Sequence, residues 1–184
     1  FIIMKDLLSI VSHFQLQGTV QEINPLGAGL INDTYKVSTL EADAPDYVLQ
    51  RINHAIFQNV EMLQANINAV TTHIRKKLEE KGEKDIERKV LHFFPADTGK
   101  TYWHDGESYW RVMAFIPNAR TYETVNPEYS YYAGVAFGNF QAMLADISDK
   151  LGATIPDFHN MEFRMNPHRD AVAAAAAGRS NEVL

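Results

Sequence analysis

The sequence predicts an α+β fold in which an antiparallel sheet with one helix precedes a region made only of helices. Six segments with the alternation typical of β-strands flank one helical segment, three before it and three after it. Beyond Pro117 the apolar residues recur only at helical spacing. The two parts are therefore expected to meet near residues 117–122.

A short helix and three strands are expected before the central helix. Apolar residues at helical spacing predict a helix over residues 4–15, within an N-terminal segment of residues 1–16. Alternating apolar and polar residues predict strands over residues 19–24, 32–39 and 47–53. Glycine, proline and acidic residues between these segments mark the loops that separate them.

The central helix is followed by a second group of strands. An apolar stripe predicts a helix over residues 59–81 that ends near Gly82. Three further strands are expected over residues 90–94, 100–103 and 108–116. The dipeptide Asp105-Gly106 between the last two strands is typical of a hairpin turn.

Two helices are expected after Pro117. Asn126 is suited to cap a helix that reaches about residue 149, because Pro127 then occupies the first helical position. An alanine-rich segment predicts a final helix over residues 167–183. Aromatic residues at helical spacing in the first of these helices are interpreted as core and helix-packing residues. They are Tyr129, Tyr131, Tyr132, Phe137 and Phe140.

Composition narrows the class of protein. Of the 184 residues, 46% are hydrophobic and 22% charged, which is typical of a globular domain. The net charge of −6 argues against a protein that coats nucleic acid. The lack of cysteine excludes disulfides, cysteine-ligated zinc, iron–sulfur clusters and thiol nucleophiles. No apolar run approaches the roughly 20 residues that span a bilayer, and residues 1–3 lack the features of a signal peptide. We therefore expect a cytoplasmic protein with neither nucleic acid nor a membrane as a partner.

A glycine-rich loop lies between the first two expected strands. Residues 27–32 read GAGLIN, a G-x-G-x-x-N pattern. A dinucleotide-binding loop would open a helix, but strand alternation follows here, so that kind of site is excluded. Two interpretations stay open: an ordinary hairpin, or the kinase arrangement in which backbone N–H groups of a glycine loop cover the phosphates of ATP. Side chains at Gly27 and Gly29 would obstruct that close backbone approach.

Several segments of the chain carry a family resemblance. The segments GLINDTYKV at residues 29–37, YVLQRIN at 47–53 and NINAVTTHI at 66–74 resemble aminoglycoside-phosphotransferase-like small-molecule kinases. FHNMEFR at residues 158–164 and the alanine-rich helix before Gly178 are similar to the N-acetylhexosamine 1-kinase branch of that family. The resemblance extends over nearly the whole chain.

The resemblance implies a domain organisation and an activity. Residues 17–116 would form a protein-kinase-like small lobe that binds a nucleotide. Residues 117–184 would form the hinge and the first helices of a helical large lobe. The implied activity is ATP-dependent transfer of a phosphoryl group to a small hydroxyl substrate, such as an N-acetylhexosamine or another sugar or amino sugar. ATP and Mg²⁺ are the implied cofactors, with the Mg²⁺ ligands expected outside this chain.

The resemblance also assigns residues that bind phosphate. Gly27, Gly29 and Thr34 would lie over the phosphates together with Asn32. Asn32 replaces the third glycine, and its side chain can donate a hydrogen bond. Family members carry a Lys or Arg on the third strand, where this chain has Gln50.

Gln50 leaves three alternatives open. Neutral Gln50 contacts phosphate weakly, or a local bulge turns Arg51 inward to supply the cation, or Gln50 is an edge-exposed polar residue without a ligand. Glu61 on the following helix is the residue that would pair with such a cation.

The resemblance also assigns residues that would bind adenine and the acceptor. Residues 113–116, including Met113 and Phe115, would form the hinge whose backbone groups contact adenine. His159 and Arg164 would bind the acceptor through hydrogen bonds to sugar hydroxyls or to an N-acetyl carbonyl. The alternative is a loop histidine and a surface arginine without a ligand.

No catalytic base and no metal ligand are assigned in this chain. His168-Arg169-Asp170 matches the start of a kinase catalytic loop, but Ala175 stands where the loop requires Asn. Asp170 is interpreted as an acid in the first turn of the final helix, favoured by the helix dipole. The chain is thus expected to stop before the catalytic loop and to transfer no phosphate by itself.

Two other functions stay open. One is a non-catalytic module that binds a nucleotide or a sugar. The other is an α+β domain that binds a protein partner through its sheet. If the chain is truncated, the apolar face left by the missing helices would favour self-association.

Overall fold

The computed structural model divides the chain into two compact units. It describes residues 4–27, 29–122, 124, 126–147, 150–176, 178–179 and 182. The first unit is Phe1–Thr154, and the second is Ile155–Leu184. The boundary expected near Pro117 between a small and a large lobe stays a prediction.

The first unit has an α+β architecture with an antiparallel sheet, which confirms the predicted fold class. Its helices are α1 (Met4–Val11), α2 (Val60–Glu80) and α3 (Pro127–Leu144), with a 3-10 turn at Ile86–Arg88. Its strands are β1 (Val20–Pro25), β2 (Asp33–Thr39), β3 (Tyr47–Ile52), β4 (Phe93–Phe94), β5 (Trp103–His104) and β6 (Tyr109–Ala114). The second unit contains α4 (Met161–Ala174). Among the described residues, no helix combines the length and apolar character needed to cross a membrane.

The six strands form one sheet in the order β1-β2-β3-β6-β4, and β5 pairs with β6. Every pairing is antiparallel. The register places Thr34 opposite Gln50 and Gln50 opposite Arg111. These three residues therefore form a row across the middle of the sheet, on one of its faces.

The two faces of the sheet pack against different helices. Leu49 on β3 and Val112 on β6 are fully buried in a core that includes Leu7 and Val11 of α1. Because side chains alternate along a strand, the row that contains Gln50 lies on the opposite face. That face is covered by α2, whose Gln64 is the one buried polar side chain among the described residues.

Asparagine side chains cap the starts of α2 and α3, and the cap of α3 is the one expected from the sequence. The Asn59 side chain accepts a hydrogen bond from the Met62 backbone N–H at 2.9 Å, and Gly82 with φ of +66° follows the end of α2. The Asn126 side chain accepts from the Tyr129 N–H at 2.8 Å, and Pro127 is the first helical residue. Both predicted helix starts are confirmed.

The predicted start of the last helix is wrong. α4 begins at Met161, because the Asn160 side chain caps it by accepting from the Phe163 N–H at 3.1 Å. Pro167 lies inside α4 and not at its first position. Asp170 is therefore in the second half of the helix, which corrects its interpretation as a first-turn acid. His168-Arg169-Asp170 is helical and does not form a loop.

The interpretation of the α3 aromatic residues as core residues is also wrong. Tyr129, Tyr131, Tyr132, Phe137 and Phe140 are all exposed. The helix joins the rest of its unit through its C-terminal end, where Met143 and Leu144 pack against the cluster of Ile74, Leu78 and Val90. Helical spacing indicates that residues share a face, but it does not indicate what covers that face.

Candidate functional site

The glycine-rich loop joins β1 and β2 as a hairpin. The backbone N–H of Leu26 donates to the Thr34 carbonyl at 2.8 Å and closes the base of the loop. Gly27 has φ of +73°, a backbone conformation that favours glycine. Ala28 lies outside the described residues. The described residues of the loop are not helical. The loop borders a cavity of about 170 Å³, so a ligand can reach it.

Gly29 is required by the loop itself. A Cβ atom at this position would lie 2.6 Å from the carbonyl oxygen of Asn32, a contact that side chains do not tolerate. Gly27 differs, because a Cβ atom there would meet no atom within 4 Å. Glycine is therefore suited to the two positions for different reasons. At position 29 it permits a tight turn, and at position 27 it permits a positive φ beside open space.

Asn32 fastens the loop to the end of β3. Its side-chain oxygen accepts a hydrogen bond from the Asn53 backbone N–H at 2.9 Å. The oxygen is thus part of the fold, and the side-chain nitrogen is the group left to donate to a ligand.

A continuous set of polar contacts runs from the loop into the sheet. The Gln50 side-chain nitrogen donates to the Thr34 hydroxyl at 3.0 Å. The Gln50 oxygen accepts from Nε and Nη2 of Arg111 at 2.9 and 2.6 Å. Gln50 is therefore fixed at both ends of its amide. Since β3 lies between β2 and β6, the alternative of an edge-exposed residue is wrong.

The same contacts continue into α2. Nη1 of Arg111 donates to the Gln64 side-chain oxygen at 2.9 Å. The Gln64 nitrogen donates to the Thr101 carbonyl at 2.9 Å, and the Thr101 hydroxyl is bonded to Asn68. The guanidinium of Arg111 is thus held between an amide on β3 and an amide on α2. Desolvation by burial lowers the pKa of Arg111 to about 10, so the group is still charged at neutral pH.

Arg51 does not supply the cation for this face. Pairing of β3 with β2 and β6 is continuous through this region, without the bulge that would turn Arg51 inward. Arg51 lies on the opposite face from Gln50 and pairs with Asp33, to which its Nε donates at 2.7 Å. The alternative that assigns Arg51 to this site is therefore wrong.

Glu61 does not face Gln50 either. Its carboxylate pairs with Lys100 at 3.1 Å, and 74% of its side chain is exposed. The residue of α2 that reaches the polar row is Gln64, three positions later in the helix. The expected pairing of Glu61 with a cation at this site is corrected accordingly.

A cavity of about 580 Å³ lies between α2 and the face of the sheet that carries Gln50. Arg111 and Met113 of β6 line it, together with Gln50. The remaining walls are largely apolar and include Ile67, Val70, Phe93 and Met143. The cavity is therefore a mostly apolar space with two cationic side chains among its walls, Arg111 and Lys89. Lys89 is paired with Glu83.

Met113 and Phe115, the residues expected to form a hinge, have different surroundings. Met113 pairs with Val48 and Phe93 and lines the cavity. The backbone N–H of Phe115 donates to the Asp46 carbonyl at 3.1 Å, so it is already bonded within the protein. The Phe115 ring lies 4.6 Å from the Lys36 ammonium. Met113 is thus in a position to contact a ligand in the cavity, whereas the Phe115 N–H is committed elsewhere.

His159 and Arg164 lie together in the second unit. Both are exposed and both contact Phe158: the His159 ring meets it edge-on at 4.6 Å, and the Arg164 guanidinium lies 5.8 Å from its ring centre. Arg164 also donates to the Phe158 carbonyl at 3.4 Å. His159 is in a turn, and Arg164 is in the first part of α4 and not in a loop.

No role for Arg111 or Gln64 is predicted from the sequence. The available signal is that each polar residue interrupts an apolar pattern: Arg111 in the strand YWRVMA, and Gln64 on the buried side of α2. Their proximity to Gln50 depends on strand pairing across 61 residues, which no local pattern reveals.

Comparison with known protein families identifies no family model that matches the chain. Among the described residues, no group of three or more His, Cys, Asp or Glu side chains is arranged to hold a metal ion.

Proposed function

We propose that this chain is the nucleotide-binding part of an ATP-dependent phosphotransferase of the aminoglycoside-phosphotransferase and sugar-kinase type. The observation that carries the proposal is the glycine hairpin, which borders a cavity and is linked through Thr34 and Gln50 to the cationic side chain of Arg111. Phosphoryl transfer depends mainly on positioning and on electrostatic stabilisation of phosphate groups. A glycine loop next to a cation provides both.

The topology supports the proposal. The glycine hairpin is formed by the first two strands of the path β1-β2-β3-β6-β4, and α2 follows β3 in the chain. The helix lies on the face of the sheet that carries Gln50 and contacts it through Arg111 and Gln64. This is the arrangement that resemblance to a protein-kinase-like small lobe implies, with the glycine loop, the third strand and the helix around one site.

In the proposed complex, the phosphates of ATP face the glycine loop and Asn32. The adenine ring faces the end of β6 at Met113, where the cavity wall is apolar. Mg²⁺ would neutralise charge on the phosphates. The proposal assigns neither the Mg²⁺ ligands nor the catalytic base to a residue of this chain.

The acceptor is proposed to be an N-acetylhexosamine or a similar small sugar. Support comes from the resemblance at residues 158–164 and from the exposed His159 and Arg164 side chains, which offer hydrogen-bond donors beside the Phe158 ring. Polar groups beside an aromatic ring suit a sugar, which has hydroxyls at its edge and an apolar face.

Binding of ATP to the whole chain tests the proposal. Isothermal titration calorimetry and thermal unfolding with ATP and Mg²⁺ are expected to show binding and a rise in the melting temperature. At 100 times Kd, a ligand bound only to the folded state adds about 2.7 kcal/mol to the unfolding free energy. No heat and no shift with ATP up to millimolar concentration would contradict the proposal.

A loop variant shows whether the glycine hairpin is the part that binds. Gly27→Asn keeps a residue that tolerates positive φ and adds a side chain where a Cβ atom meets no protein atom. We expect a folded variant with weakened ATP binding. Gly82→Asn is the matched control, because Gly82 also has positive φ and open surroundings but lies at the end of α2. Equal ATP affinity in both variants would contradict binding at the loop.

A further inference from the structure

Arg111 has no anionic partner among the described residues. It differs in this from the two other arginines of the first unit whose guanidinium groups bond to side chains, since both of those bond to carboxylates. Arg51 pairs with Asp33, and Arg75 pairs with Glu87. The contacts of Arg111 are the neutral oxygens of Gln50 and Gln64 and the ring of Phe93, whose centre is 5.6 Å away.

The lack of an anion is energetically significant because Arg111 is largely removed from water. Amide oxygens satisfy the hydrogen bonds of a guanidinium, but they do not neutralise its charge. The lowered pKa of Arg111 agrees with an uncompensated charge, because desolvation by burial is the one cause of the lowering. A bound anion would supply the missing charge.

The geometry leaves Arg111 able to bind such an anion. A guanidinium has five N–H donors, and three of them are used: Nε and one N–H of Nη2 to Gln50, and one N–H of Nη1 to Gln64. Two donors have no acceptor among the described residues. Arg111 also lines the cavity of about 580 Å³, so a ligand in that space can reach it.

We propose that Arg111 binds a phosphate group of a nucleoside di- or triphosphate in this cavity, so that β6 supplies the cation that β3 lacks at Gln50. The inference rests on the proposed function. A guanidinium suits this role because its planar donors match phosphate oxygens. Gln50 and Gln64 are positioning residues, which hold the guanidinium in one orientation and leave its charge available to the ligand.

This assignment explains why the partners are amides. A carboxylate at either position would form an internal ion pair with Arg111 and compete with phosphate. Glutamine has the same shape as glutamate and accepts the same hydrogen bond without adding charge. The replacement Gln50→Glu therefore separates a structural role from a ligand-binding role.

The test uses calorimetry on the whole chain with ATP, ADP, adenosine and inorganic tripolyphosphate as probes. In Arg111→Met, the affinity for ATP, ADP and tripolyphosphate is expected to fall by about tenfold or more, as for loss of a charge-assisted contact. Adenosine affinity is expected to stay the same, and Arg111→Lys is expected to recover part of the loss. Arg75→Met, on α2 and outside the cavity, is the matched control and is expected to bind ATP like the parent chain.

Gln50→Glu keeps the test decisive if Arg111→Met does not fold. Its carboxylate is expected to pair with Arg111 at the present hydrogen-bond distances of 2.6 and 2.9 Å, which preserves the fold. Phosphate affinity is then expected to fall while the melting temperature is maintained or raised. If Arg111 had only a structural role, Gln50→Glu would likewise keep or raise the melting temperature, but its affinity for ATP would be unchanged.

The outcomes separate the inference from the proposed function. If the parent chain binds ATP and the Arg111 and Gln50 variants bind it equally well, the inference is wrong and the proposed function stands. If tripolyphosphate binds through Arg111 but ATP does not bind, the assignment of a nucleotide phosphate to Arg111 and the proposed function are both contradicted. If neither ATP nor tripolyphosphate binds the parent chain, both proposals are wrong.

Discussion

The guanidinium of Arg111 on β6 donates two hydrogen bonds to the side-chain oxygen of Gln50, its direct partner on β3. The pair places a cation in front of Gln50, the strand position to which the proposed kinase resemblance assigns a cation. A charge can thus be supplied from a neighbouring strand of the same sheet face, provided that the register is fixed. The register here is fixed by continuous antiparallel pairing from β2 through β3 to β6.

Replacement of Gln64 by leucine is expected to destabilise the chain. Gln64 is 2% exposed and bonds to both Arg111 and the Thr101 carbonyl, so Gln64→Leu leaves a buried cation and a carbonyl short of a partner. The expected loss of unfolding free energy is about 1–3 kcal/mol. Urea unfolding monitored by circular dichroism measures it. Gln141→Leu on the exposed surface of α3 is the control, with an expected change within about 0.5 kcal/mol. Equal stability of the two variants would show that the Gln64 contacts contribute nothing.

Alanine at Gly29 is expected to strain the loop, since its Cβ atom would lie 2.6 Å from the Asn32 carbonyl oxygen. The loop must shift, at a cost of about 1–3 kcal/mol, comparable to that of overpacking. Gly134→Ala is the matched control, because Gly134 lies in α3 and a Cβ atom added there would meet no atom within 4 Å. There alanine is expected to stabilise the helix by about 0.5–1 kcal/mol. Thermal unfolding of the two variants measures both changes, and a Gly29→Ala variant as stable as the parent chain would contradict the tight turn.

The elements that local patterns determine are predictable from the sequence. The hairpin at Gly27, the caps Asn59 and Asn126 and the turn at Asp105-Gly106 each depend on neighbouring residues, and the structure has all of them. The start of α4 is not predicted in this way, because Pro167 indicates a start at residue 167 whereas Asn160 caps the helix at Met161.

The centre of the candidate site is not predictable in the same way. The family resemblance points to Gln50, but its partner Arg111 is 61 residues away, and the pairing exists only when β6 joins β3. The resemblance also points to Glu61, because kinases pair a helix glutamate with the strand cation, yet the rotation of α2 places Gln64 at that position. An apolar stripe indicates the buried side of a helix, but the polar residue that reaches the site depends on how the packed helix is rotated.

Arg51 is expected to contribute little to nucleotide binding. It lies on the sheet face opposite Gln50 and is paired with Asp33, so Arg51→Met should leave the affinity for ATP unchanged in calorimetry. The ion pair is partly exposed, and its loss is expected to lower the unfolding free energy by less than about 1 kcal/mol. Arg111→Met provides the comparison, since it removes the same charge from the other face. A loss of ATP affinity in Arg51→Met that equals the loss in Arg111→Met would contradict the assignment of the cation to β6.

The attachment of α3 to α2 is expected to weaken in acid. The Asp146 carboxylate accepts from the Lys77 ammonium at 2.6 Å and contacts His73 at 2.9 Å, and these hydrogen bonds lower its pKa to about 2. A carboxyl group whose pKa is lowered in the folded state stabilises that state at pH values above the pKa of the unfolded chain, which is about 3.9. This stabilisation is lost as the pH falls toward 2. Asp146→Asn is therefore expected to destabilise the chain between pH 5 and 7, with the difference from the parent chain vanishing between about pH 4 and 2. Urea unfolding at a series of pH values measures the difference. A difference that stays constant down to pH 2 would show that Asp146 acts through its shape and not through its charge.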